Sequence, residues 1–431
     1  MLAFPARLDA ATILALPKPS ADQLDASNQL TDLIKQKIAE ADGFLSFDQY
    51  MQFALYAPHL GYYSGQSAKF GAAGDFITAP LISPLFATCI AYQCRQWFET
   101  LPREITEFGA GDGTLAAQLL EQLHTDIDRY TIIELSPQLR ARQQQYLLDN
   151  CPAHFAKVQW IDRLPNTLNG VLIGNELIDA MPVQLFRLEQ NGIEQLGVTF
   201  GEGHAELAWA SRPAQSELQL EVSTRLFTSQ NTSQNTSQNL DTEFAAGRAV
   251  STTLQTDFPR GYVSEVCPQG NAWIASIAQR MQHCALLLID YGFSAREYYL
   301  PQRNLGTLMC HYRHYAHGDP LFLPGVQDIT AHVNFSALAL QAQDSGLQVA
   351  GYTSQANFLM NCGILQEAQV AMQVDVNESV SQTLARARVS QGIQKLLSEA
   401  EMGELFKVLA LTRGCDAHAI GFSRGDRTHQ L

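Results

Sequence analysis

Charge is scarce in this chain. Asp, Glu, Lys and Arg make up 16% of its 431 residues, against 46% hydrophobic residues. That leaves no long charge-rich stretch of the kind that stays unfolded, and enough apolar side chains for a sizeable core. Basic residues are the scarcer sign, 28 Lys and Arg against 43 Asp and Glu, a formal net charge of -15. The arginines are scattered, and the closest pairs, Arg140 with Arg142 and Arg386 with Arg388, fall in helix-like stretches. With no basic patch to meet a phosphate backbone, nucleic acid is not an expected partner. No apolar run approaches the roughly 18 residues of a membrane span, so no membrane role is expected. The eight cysteines form no Cys-x-x-Cys pair and no Cys/His spacing of a zinc site. They read as reduced, mostly buried thiols, and no metal is expected. The opening MLAFPARLDAATILALPKPS lacks a basic-then-apolar order and a small-residue cleavage site. A secretory signal is therefore not expected, and the compartment reads as the cytoplasm.

What is present is an alternation of strands and helices. The first residues, to about Ser20, read as an extended arm. Helical spacing runs over 22–41, and SFDQYMQFALYAP forms a second helix with Ser46 and Gln49 as a capping box and Pro58 beyond its end. A loop rich in glycine and tyrosine follows, then a mostly buried helix in SPLFATCIAYQCRQWFETL. Strands are expected near 104–108, 130–135, 157–162, 170–176 and 284–292, with helices after 113 and after Ser136-Pro137. That order implies an α/β fold with a doubly wound, largely parallel sheet. VQLFRLEQNGIEQLGVTF reads as an inserted hairpin turning at Asn191-Gly192. The polar tandem repeat SQNTSQNTSQN (229–239) cannot build a core and reads as a mobile loop.

The chemistry starts at EFGAGDGTLA. Gly109, Gly111 and Gly113 follow a strand and open a helix, so backbone N–H groups and a bare chain are offered to a nucleotide-like ligand. The third glycine comes one residue too early for the dinucleotide pattern, and no Gly-Lys-Ser/Thr follows, which excludes a P-loop. Glu107 completes Glu-x-Gly-x-Gly-x-Gly, which resembles the first motif of S-adenosylmethionine-dependent methyltransferases. Glu134 ends the next strand, 21 residues after Gly113, where a carboxylate can accept both hydroxyls of a ribose. Asp162, ending the third strand, is within reach of an adenine.

A second constellation ends the fourth strand, in GNELIDAMPVQLF. Asn175, Glu176 and Asp179 sit at the sheet edge where open α/β folds bind ligands. Two carboxylates three residues apart can grip a cation, cap the following helix, or match a guanidinium fork. Glu265, in GYVSEVCPQGNAW, adds another carboxylate. Asp290, at the end of LIDYGF, reads as a cap or turn residue. His311, His314, His317 and His332 are not spaced as a metal site and read as loop or surface histidines.

Taken together, LGYYSG, GDFITAPLISPLF, EFGAGDGTLA, GNELIDAMPVQLF, LLIDYGF, GTLMCHYRHYAHGDPL and GVQDITAHVNFSAL resemble the MidA-like S-adenosylmethionine-dependent methyltransferases, over about residues 43–365. The resemblance implies a Rossmann-like methyltransferase core with added helical N-terminal and C-terminal segments and S-adenosylmethionine as cofactor. It also implies protein arginine methylation, because the family's mitochondrial member is an arginine methyltransferase that assists respiratory complex I assembly. Its cofactor motif falls on Gly109, Gly111 and Gly113, with Glu134 on the ribose. Its Asn-Glu-x-x-Asp-Ala-x-Pro-Val motif falls on Asn175, Glu176, Asp179, Ala180, Pro182 and Val183. Its Gly74, Asp75 and Thr78 loop covers the cofactor or substrate. No basic amphipathic presequence is seen, which favours a bacterial cytoplasm.

The expected organisation is a helical segment with the covering loop at 1–100, the cofactor-binding core at 101–330 with an insertion at about 183–260, and a mainly helical segment at 331–431. The expected catalytic residues are Glu176, Asp179 and Glu265. The expected cofactor residues are Gly109, Gly111, Gly113, Glu134, Asp162, Asn175, Gly74, Asp75 and Thr78. The expected activity is methyl transfer to arginine in a protein. Methyl transfer to a small molecule, or a cofactor-binding assembly role exerted through a partner, are the alternatives.

Overall fold

The computed structural model describes residues 7–65, 77–201, 204–230, 258–372, 380–416 and 418–431. The chain divides into two units, each drawn from three stretches. The first takes Met1–Lys69, Ala180–Ala272 and Phe293–Ala337; the second takes Phe70–Asp179, Trp273–Gly292 and Leu338–Leu431.

The second unit carries seven strands of an eight-stranded sheet: β1 (Glu104–Phe108), β2 (Arg129–Ile133), β3 (Val158–Ile161), β4 (Leu168–Asn175), β5 (Met281–Phe293), β6 (Gln348–Ser354) and β7 (Phe406–Arg413). They lie in the order β6-β7-β5-β4-β1-β2-β3. The run from β5 to β3 is parallel throughout, whereas β7 is antiparallel to both of its neighbours. From β1 the chain winds outward to β2 and β3, then returns to the other side of β1 as β4. The crevice outside the carboxyl ends of β1 and β4 is therefore a topological switch point, where open α/β sheets bind ligands.

Strands covered on both faces read as continuous apolar runs rather than alternating ones, and Cys284 to Ile289 of β5 is such a run, every residue of it buried. The helix Leu85–Trp97 buries nine of its 13 residues, as its near-uniform apolarity requires. Phe86, Ile90 and Trp97 of that helix, Leu119 and Leu123 of the helix Thr114–Leu123, and Ile105, Ile132, Val171 and Leu287 of the sheet belong to one core cluster.

The mainly helical segment 331–431 also supplies β6 and β7. The run FKVLALTR buries seven of its eight residues, and a short apolar run gives no periodicity that separates strand from helix. The first 20 residues are not wholly extended: Ala10–Ala15 is a helical turn whose N-cap Asp9 accepts the Thr12 amide at 2.7 Å. The capping box is made by Ser20 with Gln23, at the start of the helix Ala21–Glu40. Ser46 precedes the helix Phe47–Tyr56 without a side-chain cap, its hydroxyl donating instead to Gln49 Oε1 at 3.0 Å. The inserted hairpin pairs Glu189 with Gly192, so Gln190 and Asn191 make the turn, one residue earlier than the sequence suggested.

In the first unit, Gly192–Gly201 pairs with Leu45–Ser46, Gln184–Glu189 and His204–Pro213, and Val263–Val266 extends the sheet beside Gln184–Glu189. Phe186, Val222, Leu226, Phe258 and Tyr262 pack together behind it. Met309–Tyr312 lies between Tyr315–His317 and Asp328–Thr330 in a separate small sheet, so His311 and His317 are strand residues rather than loop residues. The first two residues of the tandem repeat, Ser229 and Gln230, end the helix Ser216–Gln230, and its remainder lies outside the described residues. The eight cysteines are free, six of them buried.

Candidate functional site

The glycine turn leaves β1 with Gly109, Gly111 and Gly113 all in the left-handed region, at φ of 65°, 55° and 90°. Side chains are disfavoured there, and two of the sites are also filled. A Cβ on Gly109 would lie 3.2 Å from Leu177 Cδ1, and one on Gly113 would lie 2.8 Å from Leu147 Cδ1. Gly113 caps the helix Thr114–Leu123, and Asp112 Oδ1 accepts the Thr114 amide at 3.0 Å. The buried Thr114 hydroxyl has no partner.

Glu134 follows β2 and is 7% exposed. Its Oε1 accepts the Ser136 amide at 2.8 Å, and its Oε2 accepts Gln143 Nε2 at 3.0 Å. Each oxygen therefore keeps an acceptor site for a diol. Burial raises its pKa above the ordinary carboxyl value, against the amide of Ser136, Gln143 and the charge of Arg140. Gln143 was not singled out in the sequence. Its Nε2 also donates to the Gly111 carbonyl at 3.0 Å, and its Oε1 accepts Trp160 Nε1 at 3.1 Å. It ties the glycine turn, the ribose-type carboxylate and β3 together. Three consecutive glutamines on a helix gave no signal as to which one turns inward. Glu107 lies in β1 at 2% exposure, accepting the Tyr130 hydroxyl at 2.8 Å. Burial pushes its carboxyl up to about 7.

The edge of β4 carries the second constellation. Asn175 Nδ2 donates to Glu176 Oε1 at 3.2 Å, and the buried Asn175 Oδ1 has no partner. Glu176 has φ of 50°, a strained backbone for a side-chain-bearing residue, of a kind that gathers at functional sites. Its amide donates to the Ile289 carbonyl at 2.8 Å. Asp179 is 5% exposed, and the Tyr291 hydroxyl donates to its Oδ2. Asp290, which the sequence suggested as a cap or turn residue, lies beneath this loop. Its Oδ2 accepts the amides of Ile178 and Asp179, at 2.9 and 3.3 Å, and its Oδ1 accepts the Tyr291 amide at 3.0 Å. Burial first, then the charges of Asp179 and Glu176, hold the Asp290 carboxyl well above its usual range. Leu177 packs toward both Gly109 and Gly174, so the two constellations meet.

The remaining expected residues lie on other elements. Asp162 is exposed just beyond β3. Thr78 precedes the short helix Ala79–Ile82 without a side-chain cap. Gly74 and Asp75 lie outside the described residues. Glu265 lies in the first unit at 1% exposure. Its Oε1 accepts the Thr307 amide at 2.7 Å, the Thr307 hydroxyl and the Tyr298 hydroxyl, leaving Oε2 without a partner. Phe293 stacks on His332 at 5.2 Å in the same unit.

A bare left-handed turn, a carboxylate with two open acceptor sites, and unpartnered polar atoms at Thr114 and Asn175 fit an adenosine-bearing ligand. Comparison with known proteins specifies which. Residues 89–353 match the family described as S-adenosyl-L-methionine-dependent methyltransferases, and the chain belongs to that family. It is an enzyme of that class, and its cofactor is S-adenosylmethionine.

Among similar proteins, the mitochondrial protein arginine methyltransferase NDUFAF7 of Danio rerio is 26% identical, over 86% of this chain and 84% of its own. The Homo sapiens NDUFAF7 is also 26% identical, over 90% and 84%. A Burkholderia thailandensis protein solved bound to S-adenosyl-homocysteine is 40% identical with a TM-score of 0.84, covering 96% of this chain and 100% of that one. The NDUFAF7 proteins are mitochondrial by name, which overturns the expectation of a cytoplasmic protein. A compartment is set by an address that a receptor reads, and a folded catalytic core carries no trace of it. Among the described residues, no helix is long and apolar enough to cross a membrane.

Proposed function

We propose that this chain transfers the methyl group of S-adenosylmethionine to an arginine side chain of a protein. The observation that carries the reading is the acidic edge behind β4, where Glu176 and Asp179 stand in a loop packed by Leu177 toward the glycine turn. The names of the NDUFAF7 relatives support the acceptor class. The net charge of -15 suits a basic target segment rather than nucleic acid or an anionic membrane.

In this reading Gly109, Gly111 and Gly113, Glu134, Asn175 and Asp162 hold the donor, and Thr78, with Gly74 and Asp75 outside the described residues, is assigned to the same ligand. The bound donor supplies a methyl group already activated on a sulfonium. Glu176 and Asp179 accept N–H groups of the guanidinium as a fork against a fork. They aim one nitrogen and confine its lone pair to the line of attack. Positioning of this kind can contribute about 7–11 kcal/mol to a barrier reduction. A carboxylate oxygen of Glu176 would take the proton that the nitrogen releases on accepting the methyl group. Asp290 and Tyr291 keep the loop in place, through the amides of Ile178 and Asp179 and the carboxylate of Asp179. Glu265 fixes the turn at Thr307 within the first unit.

The test is Glu176→Gln, assayed with labelled S-adenosylmethionine on a lysate lacking this gene. Loss of one charge-assisted hydrogen bond, about 1.5–3 kcal/mol, is expected to slow transfer about 10- to 100-fold with donor affinity kept. The labelled protein should yield methylarginine on hydrolysis. Undiminished transfer by the variant, or label confined to small molecules, would overturn the assignment.

A further inference from the structure

Glu121, His124 and His154 stand apart from the cofactor site, and nothing in methyl transfer uses them. Glu121 lies in the last turn of the helix Thr114–Leu123, His124 directly follows it, and His154 lies in the short helical segment Pro152–Lys157. One ligand atom from each falls within 4.8 Å of the others. His124 Nδ1 and His154 Nε2 are 3.4 Å apart. Two nitrogens bound tetrahedrally at 2.0–2.1 Å from one zinc ion are separated by about 3.3 Å, the tetrahedral edge. The spacing of the two rings is thus already that of a shared ion.

The surroundings favour a fixed arrangement. His124 has φ of 38°, a conformation avoided by residues with a side chain and kept only where neighbours over-determine it. Lys157 Nζ donates to the His124 carbonyl at 2.8 Å and to the Ile127 carbonyl at 2.6 Å. That directs its ammonium to main-chain oxygens and holds the turn. The sequence hid the set because two ligands are three residues apart and the third comes 30 residues later, in another element.

We propose that Glu121, His124 and His154 form a binding site for a divalent transition metal of the imidazole-preferring class, with Zn2+ as its representative. Two imidazoles and a carboxylate suit such an ion and leave a fourth position for water. An ion there joins the end of the helix Thr114–Leu123 to the segment before β3, a clamp independent of the cofactor site. A plain N–H···N hydrogen bond between the rings is the competing account, and it has no need of Glu121.

The experiment is calorimetric titration of the full, metal-stripped chain with Zn2+ alone. All three ligands are at the surface or half-buried, so His124→Ala, His154→Ala and Glu121→Gln are expected to fold. One equivalent of Zn2+ should bind. Each variant should weaken it more than about tenfold, since even outer-shell partners contribute 10- to 100-fold. His283→Ala, at an exposed histidine elsewhere, should leave it unchanged. Absence of saturable binding, or affinity unaltered in the His124→Ala/His154→Ala double variant, would overturn the proposal. Loss with the histidine variants but none with Glu121→Gln would overturn the three-ligand site.

Discussion

Glu107 offers a quantitative check on the physics of the cofactor edge. Its carboxyl is buried in β1 with one hydrogen bond, from Tyr130, and with Asp112 and Glu134 near enough to raise its pKa further. The cost of ionising it there is the gap between the ordinary value of 4.5 and about 7, and 1.36 kcal/mol per unit makes this about 3 kcal/mol. The sign follows from proton counts. Between those two values the native protein holds a proton that the unfolded chain has released, so stability falls as pH rises. The contribution is complete below about pH 4.5 and is lost as pH passes through about 7. Glu107→Gln keeps the shape and an acceptor for the Tyr130 hydroxyl but cannot ionise. The variant and the parent should therefore differ little in stability near pH 4.5. By pH 8.5 the variant should be the more stable by about 3 kcal/mol. Urea unfolding without cofactor, followed by tryptophan fluorescence across that range, measures the difference. A variant-minus-parent difference that does not change with pH would refute the reasoning, because it would mean that Glu107 is not held protonated by burial.

Two further outcomes follow from the same geometry. Glu134→Gln removes the charge but little volume, and should weaken S-adenosylmethionine binding about 10- to 100-fold in calorimetry, the value of one charge-assisted hydrogen bond. Asp290→Ala strips the acceptor from the Ile178 and Asp179 amides and should cost about 2–4 kcal/mol in denaturant unfolding. Asp290→Asn should recover much of that, because it restores a carbonyl oxygen without a buried charge.

Much of the cofactor half was legible before any coordinates. Glycines at alternate positions after an apolar strand have one inexpensive conformational use, and all three occupy it. Glu134 could be placed because the ends of β2 and the helix Pro137–Asn150 are marked by local signals, an apolar run and then Ser-Pro. The carboxylates of GNELIDA were legible for the same reason, being tied to the end of a recognisable strand. The partners of these groups were not legible. Asp290 lies 112 residues from Ile178, Gln143 is one of three consecutive glutamines, and β7 pairs with β5 from more than 100 residues away.

The sequence by itself determined the turn, the strand-helix alternation and the acidic residues at the strand ends, because each depends on backbone preferences and periodicity within a few residues. Only the tertiary structure decided which buried polar group satisfies which amide, where the reversed strand enters the sheet, and how two histidines and a glutamate come to face one point. Those outcomes depend on packing between distant segments, and packing leaves no period in the chain that takes part in it.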